Sequence, residues 1–279
     1  MSAKGRPERE LRPPGDSAAR EPDGPPKARA HEREARDPSV RPQAWGGRPT
    51  LSRRDLELGR MREVYVEALA EGYALTDEEL SASLTATLAK RPKDAGWWVF
   101  GYGSLLWNPI FPFAESRRAR VHGMHRRFCL WSLASRGTPK APGLVLGLDR
   151  GGSCQGVIYR LHGGCALDEL HLLWRREMVT GSYSPRWLEV ESDGKRITAL
   201  GFVVRRDHSQ YAGHLSIDMQ ADVIAHACGA FGSSADYLEH TRTALTGFGI
   251  TDRYLDRLAA CVAAKGCVAS AARQSETAR

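Results

Sequence analysis

Trp97-Trp98-Val99-Phe100-Gly101-Tyr102-Gly103-Ser104-Leu105 runs from four large apolar residues straight into a glycine-bounded turn. The apolar run has the length and composition of a buried strand. A Tyr-Gly-Ser turn at the end of such a strand exposes successive backbone N–H groups, and these can form a nest for a carboxylate. The turn has neither the length nor the Lys of a phosphate-binding P-loop. No GxSxG frame surrounds Ser104, which argues against a hydrolase nucleophile there. Alone, the turn reads more readily as an ordinary strand end, because a single Gly-x-Gly is a weak signal.

A second element changes that balance. Leu170, Leu173, Trp174, Glu177 and Met178 recur at helical spacing. At about 100° per residue Glu177 falls in the middle of the apolar stripe, while Arg175 and Arg176 point elsewhere. A carboxylate on a buried face is costly unless something pairs with it. Glu177 is therefore either half of a structural ion pair or an acid with a raised pKa, suited to moving protons near neutral pH. Arg136, in Arg136-Gly137-Thr138-Pro139, is either a solvated turn residue or a cation that holds an anionic substrate group. One buried acid and one N–H-rich loop suggest a small enzyme site for a charged, amino-acid-like substrate.

Around these elements the spacing predicts a helix over 52–71 ended by Gly72. A second helix, opened by a Thr76/Glu79 capping box, runs to about Lys90 and is stopped by Pro92. Strand signals follow at 97–102, 122–132, 144–148, 156–161, 187–191 and 197–204, with Gly151-Gly152 as a turn. A helix from about Ala166 to Gly181 carries Glu177. Helices at 218–229, 234–246 and 252–264 close the chain, with Asp218, Ser234 and Thr251 as N-caps. Strands first and helices mostly last give an α+β class with a curved or barrel-like sheet.

The charge balance of +7 is partly a property of the N-terminal region. Residues 1–50 hold nine of the fifteen prolines and eleven Lys/Arg against eight Asp/Glu, a net of +3 that leaves +4 for the rest. Such a composition cannot bury enough apolar area to offset ordering entropy, so 1–48 are expected to be a disordered Pro/Arg-rich tail. Its basic residues alternate with acids and not with aromatics, so no nucleic-acid partner is expected. The six cysteines form no CxxC pair and several sit in apolar runs, the usage of reduced thiols in the cytoplasm. Cys129, in Phe128-Cys129-Leu130, reads as core. No apolar stretch reaches about 18 residues and no apolar h-region opens the chain, so neither a membrane span nor a secretory signal is expected. Without HExxH or a Cys/His cluster, no metal site is expected.

Taken together, these motifs resemble a known family. Phe100-Gly101-Tyr102-Gly103-Ser104-Leu105-Leu106-Trp107-Asn108-Pro109 closely resembles the opening of the ChaC-type γ-glutamylcyclotransferases. So do Arg136-Gly137-Thr138-Pro139 with Pro142-Gly143-Leu144-Val145-Leu146-Gly147-Leu148, and Arg176-Glu177-Met178 followed by Tyr183. Tyr211-Ala212, Ile224-Ala225, Tyr237-Leu238 and Gly249-Ile250-Thr251-Asp252 continue the likeness in order to about residue 260. Gly181-Ser182, where a Gly-Gly pair is common, is a mild departure.

The resemblance implies a γ-glutamylcyclotransferase-like fold, a small mixed β-barrel with flanking helices. On that reading the catalytic domain spans 96–266, preceded at 49–95 by a helical extension common in bacterial members and followed at 267–279 by a frayed tail. The implied activity is release of 5-oxoproline and Cys-Gly from glutathione, with no cofactor, by a monomer or weak dimer. Carried over by position, Tyr102, Gly103, Ser104 and Leu105 would grip the γ-glutamyl head and Glu177 would be the catalytic acid/base. Arg136 would be a further substrate contact. Two alternatives remain: a cyclotransferase for other γ-glutamyl compounds, and a non-catalytic binding or regulatory protein.

Overall fold

The structure, a computed structural model, describes residues 50–69 and 71–277, with side-chain surroundings for 50–69 and 72–265. The tail expected at 1–48 lies outside the described residues. Five strands close a barrel: β1 (Trp98–Gly101), β2 (Phe113–Ser132), β3 (Gly143–Leu161), β4 (Tyr183–Ser192) and β5 (Lys195–Val204), in the order β1-β3-β2-β4-β5. The ring closes where β1 meets β5 in parallel, Val99 beside Leu200. The sheet is thus mixed, and its closure leaves the apolar faces of all five strands turned to one interior.

The long β2–β3 hairpin departs from the sequence expectation. Gly151-Gly152 is not a turn between two strands; β3 runs through it. His122 pairs with Ser153 and Met124 with Arg150, so the two glycines face Gly123 alone. This is a bulge, and both glycines have positive φ (106° and 66°), which L-residues with side chains rarely adopt. The glycine pair bends a continuous strand where a sequence reading places a stop.

Helices pack around the barrel. The expected helix over 52–71 is two, α1 (Arg53–Glu57) and α2 (Arg60–Leu69), separated at Leu58-Gly59. Both α1 and α3 (Asp77–Leu88) open on capping boxes, Ser52 with Asp55 and Thr76 with Glu79. α4 (Ala166–Glu177) ends before Gly181, with Met178 as its C-cap. α5 (Ile217–His226) and α6 (Ser234–Gly247) are capped by Ser216 and Ser233 instead of Asp218 and Ser234. α7 (Arg253–Thr277) starts where the Asp252 carboxylate accepts from the N–H groups of Tyr254 and Leu255, the role expected of Thr251. It continues past 264–267, where large apolar residues give out.

The stripe of α4 packs on the barrel as its spacing predicts. Leu170, Leu173 and Trp174 are buried, and the Trp174 ring meets Phe202 of β5 edge-on at 5.4 Å. Burial of each such side chain contributes on the order of 2 kcal/mol. That packing fixes the C-terminal part of α4, which ends on Glu177, against the barrel.

Candidate active site

The last residue of α4 opens into a cavity of about 710 Å³, counted with its mouth. Glu177, Ser104 and Arg136 all line it, together with Tyr237 of α6 and Tyr183 of β4. Three side chains that the sequence singles out, from segments up to 73 positions apart in the chain (104 to 177), therefore share one space.

Glu177 is 13% exposed and its Oε1 accepts no hydrogen bond among the described residues. Burial pushes its carboxyl above the usual range, and the adjacent Arg176 only partly opposes this. The expectation that Arg176 points away does not hold. Arg176 is buried, and its Nε lies 3.1 Å from Glu177 Oε1. Consecutive helical residues normally diverge. Here the helix is ending, and the Arg176 guanidinium is drawn inward by a hydrogen bond from Nη1 to the Asn108 carbonyl. Burial lowers the Arg176 pKa and the Glu177 charge opposes that shift. Four tyrosines surround the acid closely enough for its charge to raise their pKa values: Tyr65, Tyr102, Tyr183 and Tyr237, the last to about 12. In each of them burial is the larger cause. All four are therefore neutral hydroxyls near neutral pH.

The residues of the turn divide into two groups. Ser104, at the start of a 3-10 turn over Ser104–Leu106, lines the cavity. Tyr102, Gly103 and Leu105 are not part of the cavity wall. The Tyr102 hydroxyl donates to the Phe202 carbonyl at 2.8 Å inside the barrel, and Leu105 is core. A Cβ on Gly103 would stand 2.8 Å from the Tyr237 Oη, so glycine lets Tyr237 close over the turn. The turn is anchored by Arg126 of β2, which the sequence reading passed over. Its Nη1 donates to the Tyr102 carbonyl at 2.7 Å, and its Nε pairs with Asp252 at 2.7 Å. Asp252 belongs to the Gly249–Asp252 motif, whose position alone carried no hint of this tie.

Arg136 is not a solvated turn residue. It is buried, with its guanidinium carbon 5.6 Å from the Trp107 and Tyr237 rings. Burial lowers its pKa. A desolvated guanidinium on a cavity wall is a strong site for a carboxylate. Buried polar groups also line the cavity: Thr180 Oγ1 donates to Gln210 Oε1 at 2.6 Å, and Gln210 Nε2 donates to the Trp131 carbonyl at 3.2 Å. Only the neighbouring Tyr211-Ala212 pair pointed there. Cys129 is fully buried and its thiol is pushed up to about 12, so it is inert as a nucleophile.

The model of the ChaC-like protein family matches residues 97–265. The glutathione-specific gamma-glutamylcyclotransferase of Escherichia coli K12 is 41% identical over 192 residues, covering 68% of this chain and 83% of its own. The mouse glutathione-specific gamma-glutamylcyclotransferase 1 is 34% identical over 146 residues, half of this chain and 66% of its own. Among solved structures, a yeast gamma-glutamyl cyclotransferase specific to glutathione superposes with a TM-score of 0.57 at 26% identity, covering 61% of this chain and 96% of that one.

Proposed function

The chain belongs to the ChaC-like protein family, and from that membership and the buried acid in its cavity we propose that it degrades glutathione as a γ-glutamylcyclotransferase. The products are 5-oxoproline and Cys-Gly. Among the described residues the cysteines form no disulfide, in keeping with a reducing compartment such as the cytoplasm, where this substrate is held reduced.

The substrate carries its own nucleophile. Its α-amine attacks the γ-carbonyl carbon, a C–N bond forms to close the five-membered ring, and the C–N bond to cysteine breaks. Near pH 7 the α-amine is mostly protonated, with a pKa of about 8. Two protons must leave that nitrogen and two must reach the departing one. Glu177 relays them, first as base and then as acid, and a raised pKa brings its affinity for the proton closer to both tasks. The Ser104 hydroxyl and its backbone N–H, which opens the 3-10 turn and has no acceptor within it, take the α-carboxylate or the developing oxyanion. Tyr102, Gly103 and Leu105 support this from beneath, as the tether, the clearance and the packing of the turn. Arg136 takes a substrate carboxylate. Holding the flexible glutamyl chain near its cyclic shape can supply roughly 7 kcal/mol or more when alignment is ideal.

The observation that carries this reading is Glu177 Oε1, buried, without a hydrogen bond among the described residues, on a side chain that lines the same cavity as Ser104 and Arg136. Incubation with glutathione, followed by quantifying 5-oxoproline and Cys-Gly, tests it. Failure to form either product rejects the activity. Equal turnover of γ-glutamyl amino acids would widen the substrate class.

A further inference from the structure

We propose that the helical segment Leu51–Leu69 is a working wall of the catalytic cavity, clasped to α4 and keeping water from Glu177. The proposal rests on the function above and assigns a role to residues outside the 97–265 family match.

Leu51, Met61 and Tyr65 line the cavity that holds Glu177. Leu51 and Tyr65 are buried, and Leu56, between them in the chain, is fully so. The segment is tied to the acid's own helix. Arg53 grips Glu169 of α4 with both guanidinium arms, at 2.5 and 3.1 Å, and donates to the Ile110 carbonyl at 3.3 Å. Such two-point, charge-assisted contacts fix orientation as well as distance. At the other end of α4, Arg175 donates to the Glu57 carbonyl at 3.3 Å. Asn108 joins the two sides of the cavity: its Nδ2 donates to the Leu51 carbonyl at 2.8 Å, while its own carbonyl holds Arg176. Moving the segment therefore disturbs the cation beside Glu177.

The groups that act on Glu177 are Arg176 on α4, Tyr65 on α2, Tyr102 after β1, Tyr183 on β4 and Tyr237 on α6. Tyr65 is the one the segment supplies, and its hydroxyl meets Ser132 and Ser135 beside Arg136. Removing that ring admits water to the acid. Hydration favours the charged carboxylate, so the pH at which Glu177 gains its proton falls. The substrate also loses an apolar surface, so KM rises.

Two variants of the full chain test this. In Tyr65→Ala, KM for glutathione rises about fivefold or more and the acid limb of kcat/KM moves to lower pH. Arg53→Ala moves both in the same direction by less, because Leu56 still anchors α1. A Tyr65→Ala enzyme with the parent KM and an unmoved acid limb overturns the proposal. So does one whose kcat falls with the limb unmoved, since that marks a purely structural residue. Where Tyr65→Ala does not fold, Met61→Ala gives the same reading from the same helix. Carbon NMR titration of Glu177 in the same variants reports its hydration without substrate. The wall is thus decided even if the unaltered chain leaves glutathione intact, a result that would reject the function instead.

Discussion

Arg176 Nε stands 3.1 Å from Glu177 Oε1, yet that oxygen accepts no hydrogen bond among the described residues. The pair combines the two readings open to Glu177 in the sequence. A cation is present, but its alignment is spent on the Asn108 carbonyl. Charge proximity without a directed bond stabilises the carboxylate less than a bidentate pair would. Burial therefore prevails and the carboxyl is raised, not depressed. An acid locked in a well-formed bridge would be a poor base; one held near a cation but unbonded remains able to exchange protons.

Glu177→Gln keeps the shape and removes the exchangeable proton. Turnover of glutathione falls by about 10²–10⁴-fold, the range associated with a positioned acid/base. Far-ultraviolet circular dichroism stays unchanged, since α4 is held by Leu170, Leu173 and Trp174. A variant with more than a tenth of the parent kcat would remove Glu177 from the chemistry.

The same substitution has a stability signature with a definite sign. The Glu177 carboxyl titrates at 4.5 by its ordinary value and higher in the folded chain. The folded state then binds the proton more tightly than the unfolded one. Its contribution to stability is full below the ordinary value and is lost as pH rises through the folded pKa. The Tm of Glu177→Gln minus that of the parent should be close to zero in mild acid and positive near neutral pH. Each 1 kcal/mol of relief is worth roughly 2–4 °C in a domain of this size. A variant that melts lower than the parent at neutral pH would assign Glu177 to a stabilising ion pair instead.

Arg176→Met removes the cation that holds the Glu177 pKa down. The acid limb of kcat/KM moves to higher pH, opposite to the shift expected from opening the cavity wall. The buried Asn108 carbonyl also loses its Arg176 donor, at a cost of about 1–3 kcal/mol. Activity lost at neutral pH should be partly regained at higher pH, as a pH–rate series on the purified variant would register. A loss that is uniform across pH would mean that Arg176 acts only through structure.

What could be read in advance was local. The strand running from Trp98 into the Tyr102-Gly103-Ser104 turn, the Thr76/Glu79 capping box and the Leu170/Leu173/Trp174 stripe are set by neighbours a few residues away, and the structure has each of them. What could not be read depends on reach across the chain. Arg126 finds the Tyr102 carbonyl over 24 positions, Asn108 finds Leu51 over 57, and Arg53 finds Glu169 over 116. None of these partners carries a periodic signal. Arg176 was misjudged because helical phase describes where a side chain starts, whereas a long guanidinium stem at a helix end bends toward the nearest acceptor. The Gly151-Gly152 bulge was misjudged because the same residues mark a turn and a kink.

Gly103 gives the sharpest test of how the turn and α6 meet. A methyl group there would lie 2.8 Å from the Tyr237 Oη and 3.6 Å from the Leu146 Cβ. Tyr237 cannot swing aside freely, because its ring is held edge-on by Phe128 and by Trp107, each at 5.9 Å. The strain must pass either into that aromatic cluster or into the turn bearing Ser104. Gly103→Ala should therefore cost about 1–3 kcal/mol in denaturant unfolding. A displacement of Ser104 by about 1 Å is enough for a loss near 10²-fold in kcat/KM. Tyr237→Phe, which removes the oxygen that the methyl would strike, should restore part of both losses when combined with Gly103→Ala. Additive losses in the double variant would show that the turn does not depend on clearance beneath Tyr237.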